Sequence, residues 1–178
     1  MLIFSAARKP KLPQDPLLER LLGLSPSISA NCRVLVLGSF PSATSLAAKQ
    51  YYAHPQNRFW SIVGDCIGVD LRGLSYRERI KRVNAAGIGI WDIYAACERS
   101  GSLDSAIRNA EFNDFKKLRR KAPGITRVCL NGSTAAKAVR HLEQLEFETI
   151  VLPSTSPANA SQDYAFKLAR WRAALETR

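Results

Sequence analysis

The residues best suited to chemistry in this chain fall in three short stretches. The first, Gly38-Ser39-Phe40-Pro41-Ser42, follows the apolar run Val34-Leu35-Val36-Leu37. The second, Tyr51-Tyr52-Ala53-His54-Pro55-Gln56-Asn57-Arg58-Phe59-Trp60, sets two tyrosines, an imidazole and a carboxamide close together. The third, Pro153-Ser154-Thr155-Ser156-Pro157-Ala158-Asn159-Ala160, has no hydrophobic side chain larger than alanine. Small hydroxyls and bare loop amides let a phosphate backbone approach closely, so Ser42, Ser45, Ser154 and Ser156 are candidates for phosphate contact. Serine acyl transfer does not fit, because the 38–42 stretch is not G-x-S-x-G and the chain has only two histidines. Cys32, Cys66, Cys97 and Cys129 include no C-x-x-C pair, and neither cysteines nor histidines cluster, so no metal and no cofactor is expected. The cysteines read as buried free thiols in a reducing compartment.

These stretches need a scaffold that brings them together. Val34 to Leu37 is apolar on both faces, as in a central parallel strand covered by helices. Ligands of open α/β sheets bind where strand C-terminal ends run into loops, which places the 38–42 stretch at a site. Ile88-Gly89-Ile90-Trp91 reads as a second buried strand ending at Asp92, with further strands over 127–131 and 148–152. Helices are predicted over 17–24, 57–68, 77–83, 113–121, 132–143 and 162–175, with Ser133 or Thr134 capping the fifth. Strands alternating with helices imply a three-layer α/β/α sandwich with a short, mostly parallel four-stranded central sheet. The first and third stretches then meet at one edge.

A chain of 178 residues is the size of one domain, with residues 1–16 a basic surface arm. The apolar run Leu2-Ile3-Phe4 is too short to span a membrane. With 26 Lys and Arg against 15 Asp and Glu, the formal net charge of +11 suits a partner made of phosphates. A merely basic surface would give the same number. Lys116, Lys117, Arg119, Arg120 and Lys121 form a solvated face that can help hold DNA.

The strand, the G-x-x-P-S loop, the Tyr-Tyr-Ala-His-Pro and Asn-Arg-Phe-Trp segments and the later Leu152 to Ala158 loop occur in an order that resembles the uracil-DNA glycosylase superfamily. The resemblance covers residues 33–172 and is closest to the hypoxanthine-DNA (deoxyinosine) glycosylase branch, with the HPxNRFW motif of the mismatch-specific enzymes. It implies a monofunctional DNA glycosylase that flips a deaminated base, hypoxanthine foremost, out of DNA and hydrolyses its glycosidic bond. A cytoplasmic monomer with DNA as partner and no membrane role is expected. The base would lie beside Gly38, Ser39 and Phe40 and stack on Tyr52. Asp92 stands where the uracil enzymes keep a base-reading amide. As a carboxylate it would accept from the hypoxanthine N1–H, while loop amides near Ser39 and Phe40 donate to O6. Ser42, Ser45, Ser154, Ser156, Ala158 and Asn159 would meet the DNA.

Three positions depart from the family pattern. Phe40 replaces the Asp or Asn that orients water, which leaves Asn57 as the replacement and His54 as a charge-stabilising group. Ser154 stands at the position of a base-contacting His, and Ala158 at that of an intercalating Leu. Each of these residues also has an ordinary use: Asn57 as a helix cap, Tyr52 as a core ring, His54 as a structural histidine. A uracil or mismatch glycosylase of the same fold, and a DNA-binding module without catalysis, are the competing readings.

Overall fold

The structure, a computed structural model, describes residues 19–176, so the basic arm over 1–16 lies outside the described residues. In chain order the strands are β1 Arg20–Leu22, β2 Val34–Gly38, β3 Ile88–Asp92, β4 Tyr94–Glu98, β5 Arg108–Phe112, β6 Arg127–Asn131 and β7 Glu148–Leu152. The α-helices are α1 Ala43–Ala48, α2 Phe59–Ile67, α3 Tyr76–Ala85, α4 Phe115–Lys121, α5 Val139–Glu143 and α6 Tyr164–Leu175.

The central sheet has the order β3-β2-β6-β7, and every neighbouring pair is parallel. All five residues of β2 are buried because the strand feeds a core on each face. Side chains alternate across a strand. Val34 and Val36 therefore pack with Phe59, Ile62, Val83 and Trp171 from α2, α3 and α6. Leu35 and Leu37 pack instead with Phe115, Leu118 and Leu142 from α4 and α5. The expected sandwich follows, with the parallel strands all ending at one edge. Trp171 is fully buried, and its Nε1 donates to the Pro153 carbonyl at 3.0 Å, tying α6 to the loop after β7. Trp171→Ala would remove the ring and that bond, at a cost of about 3–5 kcal/mol.

A second, three-stranded antiparallel sheet, β1-β4-β5, was not expected from the sequence. Its first strand overturns the helix over 17–24: Arg20–Leu22 is extended and pairs with Glu98 to Ala96, while Leu17 and Leu18 lie outside the described residues. Pairing to β4 overrides the local helical preference. Gly23 follows, and a Cβ there would stand only 3.0 Å from the Tyr94 carbonyl. The helix over 132–143 is also corrected, to a 3₁₀ turn at Ala135–Ala138 followed by α5, with no side-chain cap from Thr134. Gly132 leaves β6 with φ of +99°, and a Cβ on it would meet the Ser154 Cβ at 2.9 Å. The basic residues Arg119, Arg120 and Lys121 fall in the last turn of α4, which leads to the start of β6 and so to the edge opposite the parallel strand ends.

Candidate active site

The C-terminal ends of β2, β3 and β6, with the loop after β7, enclose a cavity of about 390 Å³. Gly38 closes β2, and only a residue without a side chain fits there: a Cβ would lie 2.5 Å from Asp92 Oδ1 and 3.3 Å from the Tyr52 hydroxyl. Asp92 closes β3 directly alongside Gly38 in the parallel register. Its carboxyl is 4% exposed, and Oδ2 is buried with no hydrogen-bond partner. Burial, reinforced by the charge of Asp104 and opposed by Arg99, pushes this carboxyl up to about 8. Burial thus favours the neutral acid, which both donates and accepts, over the carboxylate.

Tyr52 forms another wall. Its ring stacks on Phe59 with centroids 3.7 Å apart and planes 13° from parallel, and it meets Trp60 edge-on. Its φ of +53° is an outlier for a bulky side chain, a strain of about 1–3 kcal/mol. Both neighbours hold it in place: the Tyr51 amide donates to the Tyr76 hydroxyl at 3.1 Å, and the Ala53 amide to Ser45 Oγ at 3.2 Å. Burial, then Asp92, raises the Tyr52 hydroxyl well above its ordinary range, so it stays protonated. Asn131, at the end of β6, donates to that hydroxyl at 3.3 Å and to Thr155 Oγ1 at 2.9 Å, while its own carbonyl accepts from the Thr155 amide at 2.9 Å. One carboxamide thus fastens the stacking ring to the 153–160 loop.

Loop 38–42 is held from beneath and from the side. Phe40 is 6% exposed and lies under the Arg99 guanidinium, 5.1 Å from the ring centroid. Arg99 donates to the Pro41 carbonyl, and its Nε and Nη1 are buried without partners. Ser39 donates to Asp104 Oδ1 at 2.7 Å. The amides of Ser39 and Phe40 find no carbonyl partner among the described residues. Ser42 caps α1, and Ser45 is 2% exposed with its hydroxyl between Ser42 and the Ala53 amide. Ser45 therefore holds the loop and is too buried to meet a phosphate, contrary to the expectation for it.

Asn57 and His54 both line the cavity. Asn57 Oδ1 accepts from the Phe59 amide two residues on at 3.0 Å, just ahead of α2, whose N-cap position is Arg58 with no side-chain capping bond, and the second lone pair of that oxygen remains. His54 Nδ1 accepts from the Gln56 amide at 3.3 Å. In the opposite loop, Ser154 Oγ accepts from the Ser156 amide, Ser156 Oγ from the Ala158 amide, and Asn159 Nδ2 donates to the Ser154 carbonyl. These bonds stiffen the loop internally. Ala158 is exposed on it and carries only a methyl group. Asn57, Ser156 and Asn159 also line a neighbouring groove of about 930 Å³ with Arg58 and Lys167. The Lys167 amine donates to the Asn159 carbonyl at 2.6 Å and is lowered by burial and by Arg58.

Thus the cavity gathers Gly38, Ser39, Phe40, Tyr52, Asp92, Asn57, His54, Ser154 and Asn159 as the sequence suggested, and adds Asn131, Thr155, Leu103 and Asp104, which sequence reading missed. Among the described residues, no three His, Cys, Asp or Glu side chains gather where they could hold a metal ion. No helix among the described residues is long and apolar enough to cross a membrane.

Known proteins share this arrangement. The sequence profile of the Uracil DNA glycosylase superfamily matches residues 26–176. A Methanosarcina acetivorans protein named hypoxanthine DNA glycosylase is 39% identical over 137 residues, covering 77% of this chain and 87% of the relative. A protein of the same name from Methanosarcina barkeri is 37% identical over the same shares. The solution NMR structure of a Methanosarcina acetivorans protein provisionally assigned as a uracil DNA glycosylase superposes with a TM-score of 0.81 at 36% identity, covering 88% of this chain and 97% of that one. The chain belongs to the uracil DNA glycosylase superfamily. Its class of chemistry is therefore removal of a base from DNA.

Proposed function

We propose that this protein excises hypoxanthine from DNA. The observation that carries this reading is the buried Asp92 carboxyl at the end of β3, whose Oδ2 has no hydrogen-bond partner among the described residues and whose burial favours the neutral acid. A neutral carboxyl offers one donor beside one acceptor. Hypoxanthine presents N1–H beside O6, so Asp92 accepts from the first and donates to the second. The free amides of Ser39 and Phe40 add donors near O6. The two relatives named for hypoxanthine excision support the purine, although uracil presents the same pair of groups on a smaller ring.

The chemistry follows from these placements. Flipping the nucleotide costs about a few kcal/mol, which stacking on the Tyr52–Phe59 pair offsets. As the N9–C1′ bond breaks, its electron pair leaves with the base, and the negative charge spreading to O6 is stabilised by the Asp92 O–H. Water adds to C1′, and the proton it loses ends on the departing hypoxanthine anion, leaving neutral hypoxanthine and an abasic site. Asn57 Oδ1, aimed by the Phe59 amide, orients that water through its second lone pair. His54 stabilises developing charge at the rim. Ser42, Ser154, Ser156, Ala158 and Asn159 border the DNA path, and the exposed Arg58 in the adjoining groove faces its phosphates. The chain acts as one domain and as a monomer. Its free cysteines fit the reducing cytoplasm.

The test is free-base release, by mass spectrometry, from duplexes carrying one deoxyinosine or one deoxyuridine. Hypoxanthine release well above uracil release is expected. Release of uracil alone would overturn the base assignment, and release of neither would leave a DNA-binding module.

A further inference from the structure

A flipped nucleotide leaves a gap one base wide in the stack, and proteins that distort duplexes commonly fill such gaps with an apolar side chain. The loop after β7 cannot do so, because Ala158 has only a methyl group to insert. Another side chain at the cavity mouth can. Of the large apolar residues that stand exposed among the described residues, Leu22, Leu103, Phe112, Val151 and Phe166, only Leu103 lines the cavity.

Leu103 is 61% exposed, an isobutyl group held in water with no apolar cover. The backbone that carries it is nonetheless fixed on both sides. Ser102 Oγ accepts from the Ala43 amide at 3.0 Å, and Asp104 Oδ1 accepts from Ser39 Oγ at 2.7 Å. The Leu103 carbonyl accepts from the Ala106 amide at 3.1 Å, starting the 3₁₀ turn Asp104–Ala106. Gly101, with φ of +70°, lets the chain turn into this bracket. Two bonds to loop 38–43 thus present one exposed leucine at the rim of the cavity that receives the base. The neighbouring Asp104 carboxylate is half-buried and engaged by Ser39, so Leu103 is the large apolar side chain that the bracket presents.

We propose that Leu103 is the wedge: it enters the duplex where the target nucleotide has left and keeps the base from returning. The inference rests on the base-flipping reading above. It makes Leu103 a positioning residue that never touches the reacting atoms, and it assigns the 99–107 segment to DNA engagement.

A wedge matters only where there is a stack to fill. The test compares wild type, Leu103→Ala and Leu103→Met on one inosine-containing strand, presented single-stranded and in duplex, under single-turnover conditions. Leu103→Ala is expected to slow release from the duplex by about ten- to a hundredfold, with single-strand release within about twofold of wild type. Leu103→Met should restore most of the duplex rate. In parallel, 2-aminopurine beside the lesion reports unstacking on binding without any cleavage, and Leu103→Ala should lose that fluorescence rise. Unchanged duplex release and fluorescence in Leu103→Ala would overturn the wedge. So would an equal loss on both substrates, which would place Leu103 on the flipped base inside the cavity, or wild-type activity confined to single strands. If wild type releases no base at all, the glycosylase reading fails, while the fluorescence arm still decides whether Leu103 enters the stack.

Discussion

Asp92→Asn separates a neutral acid from a carboxylate, because an amide copies the donor and acceptor of COOH but cannot ionise. The charge state of Asp92 is set first by burial, which raises it, then by Asp104, which raises it further, and Arg99, which opposes. With the carboxyl pushed to about 8, about one molecule in ten is ionised at pH 7 and about nine in ten at pH 9. Ionisation removes the donor aimed at O6. The wild-type single-turnover rate should therefore fall as pH rises through about 8, whereas Asp92→Asn should keep much of its rate at pH 7 and lose that alkaline limb. Stability follows the same sign: a carboxyl raised in the folded state favours folding fully below about 4, and that contribution is lost as pH climbs to about 8. About four units at about 1.4 kcal/mol each set a ceiling near 6 kcal/mol. Asp92→Asn should accordingly melt higher than wild type at pH 9, with the gap narrowing towards pH 5. Rates between pH 6 and 9.5 and melts on the same samples decide the matter. A wild-type rate that climbs through pH 8, with Asp92→Asn inactive at pH 7, would refute the neutral-acid role.

Further outcomes follow from the same geometry. Tyr52→Ala should lose about 1–3 kcal/mol of inosine-DNA binding, and Tyr52→Phe, which gives up only the 3.3 Å bond from Asn131, less than about 1 kcal/mol; equal losses in a binding titration would shift the role to the hydroxyl. Asn57→Ala should slow cleavage by on the order of 10²-fold and, by removing the bond from the Phe59 amide, cost about 1 kcal/mol of stability. A rate that falls only in step with the melting temperature would make Asn57 a structural residue alone. DNA affinity should fall linearly with salt on a log–log plot, as the +11 charge requires, and Arg58→Gln, at an exposed cation lining the adjoining groove, should reduce that slope by about 1. An unchanged slope would remove Arg58 from the phosphate path.

Most of the parallel sheet was readable because β2 and β3 are buried on both faces, so Val34 to Leu37 and Ile88 to Trp91 stand out as apolar runs bounded by glycine or a polar stop. The small antiparallel sheet was not. Arg20–Leu22 and Arg108–Phe112 are mostly exposed, and their extended form comes from pairing with β4, a contact that no local pattern announces. The 38–42 and 153–160 loops declared themselves through their small residues. Ser102, Leu103 and Asp104 did not, because the partner of Asp104 is Ser39, sixty-five residues away in the chain. Asn131 carried a usable signal: like Asp92 it is a polar residue at the C-terminal end of a strand with a buried interior. Ser45 misled for the opposite reason, since a hydroxyl beside a binding loop serves equally well to hold that loop together.

The most direct measurement is a crystal structure of the protein with duplex DNA carrying a non-hydrolysable 2′-fluoro-deoxyinosine. Hypoxanthine should lie in the cavity at the ends of β2, β3 and β6, its face on Tyr52 and its N1–H and O6 edge against Asp92. Hypoxanthine left in the stack, or seated with that edge turned away from Asp92, would contradict the proposed base recognition.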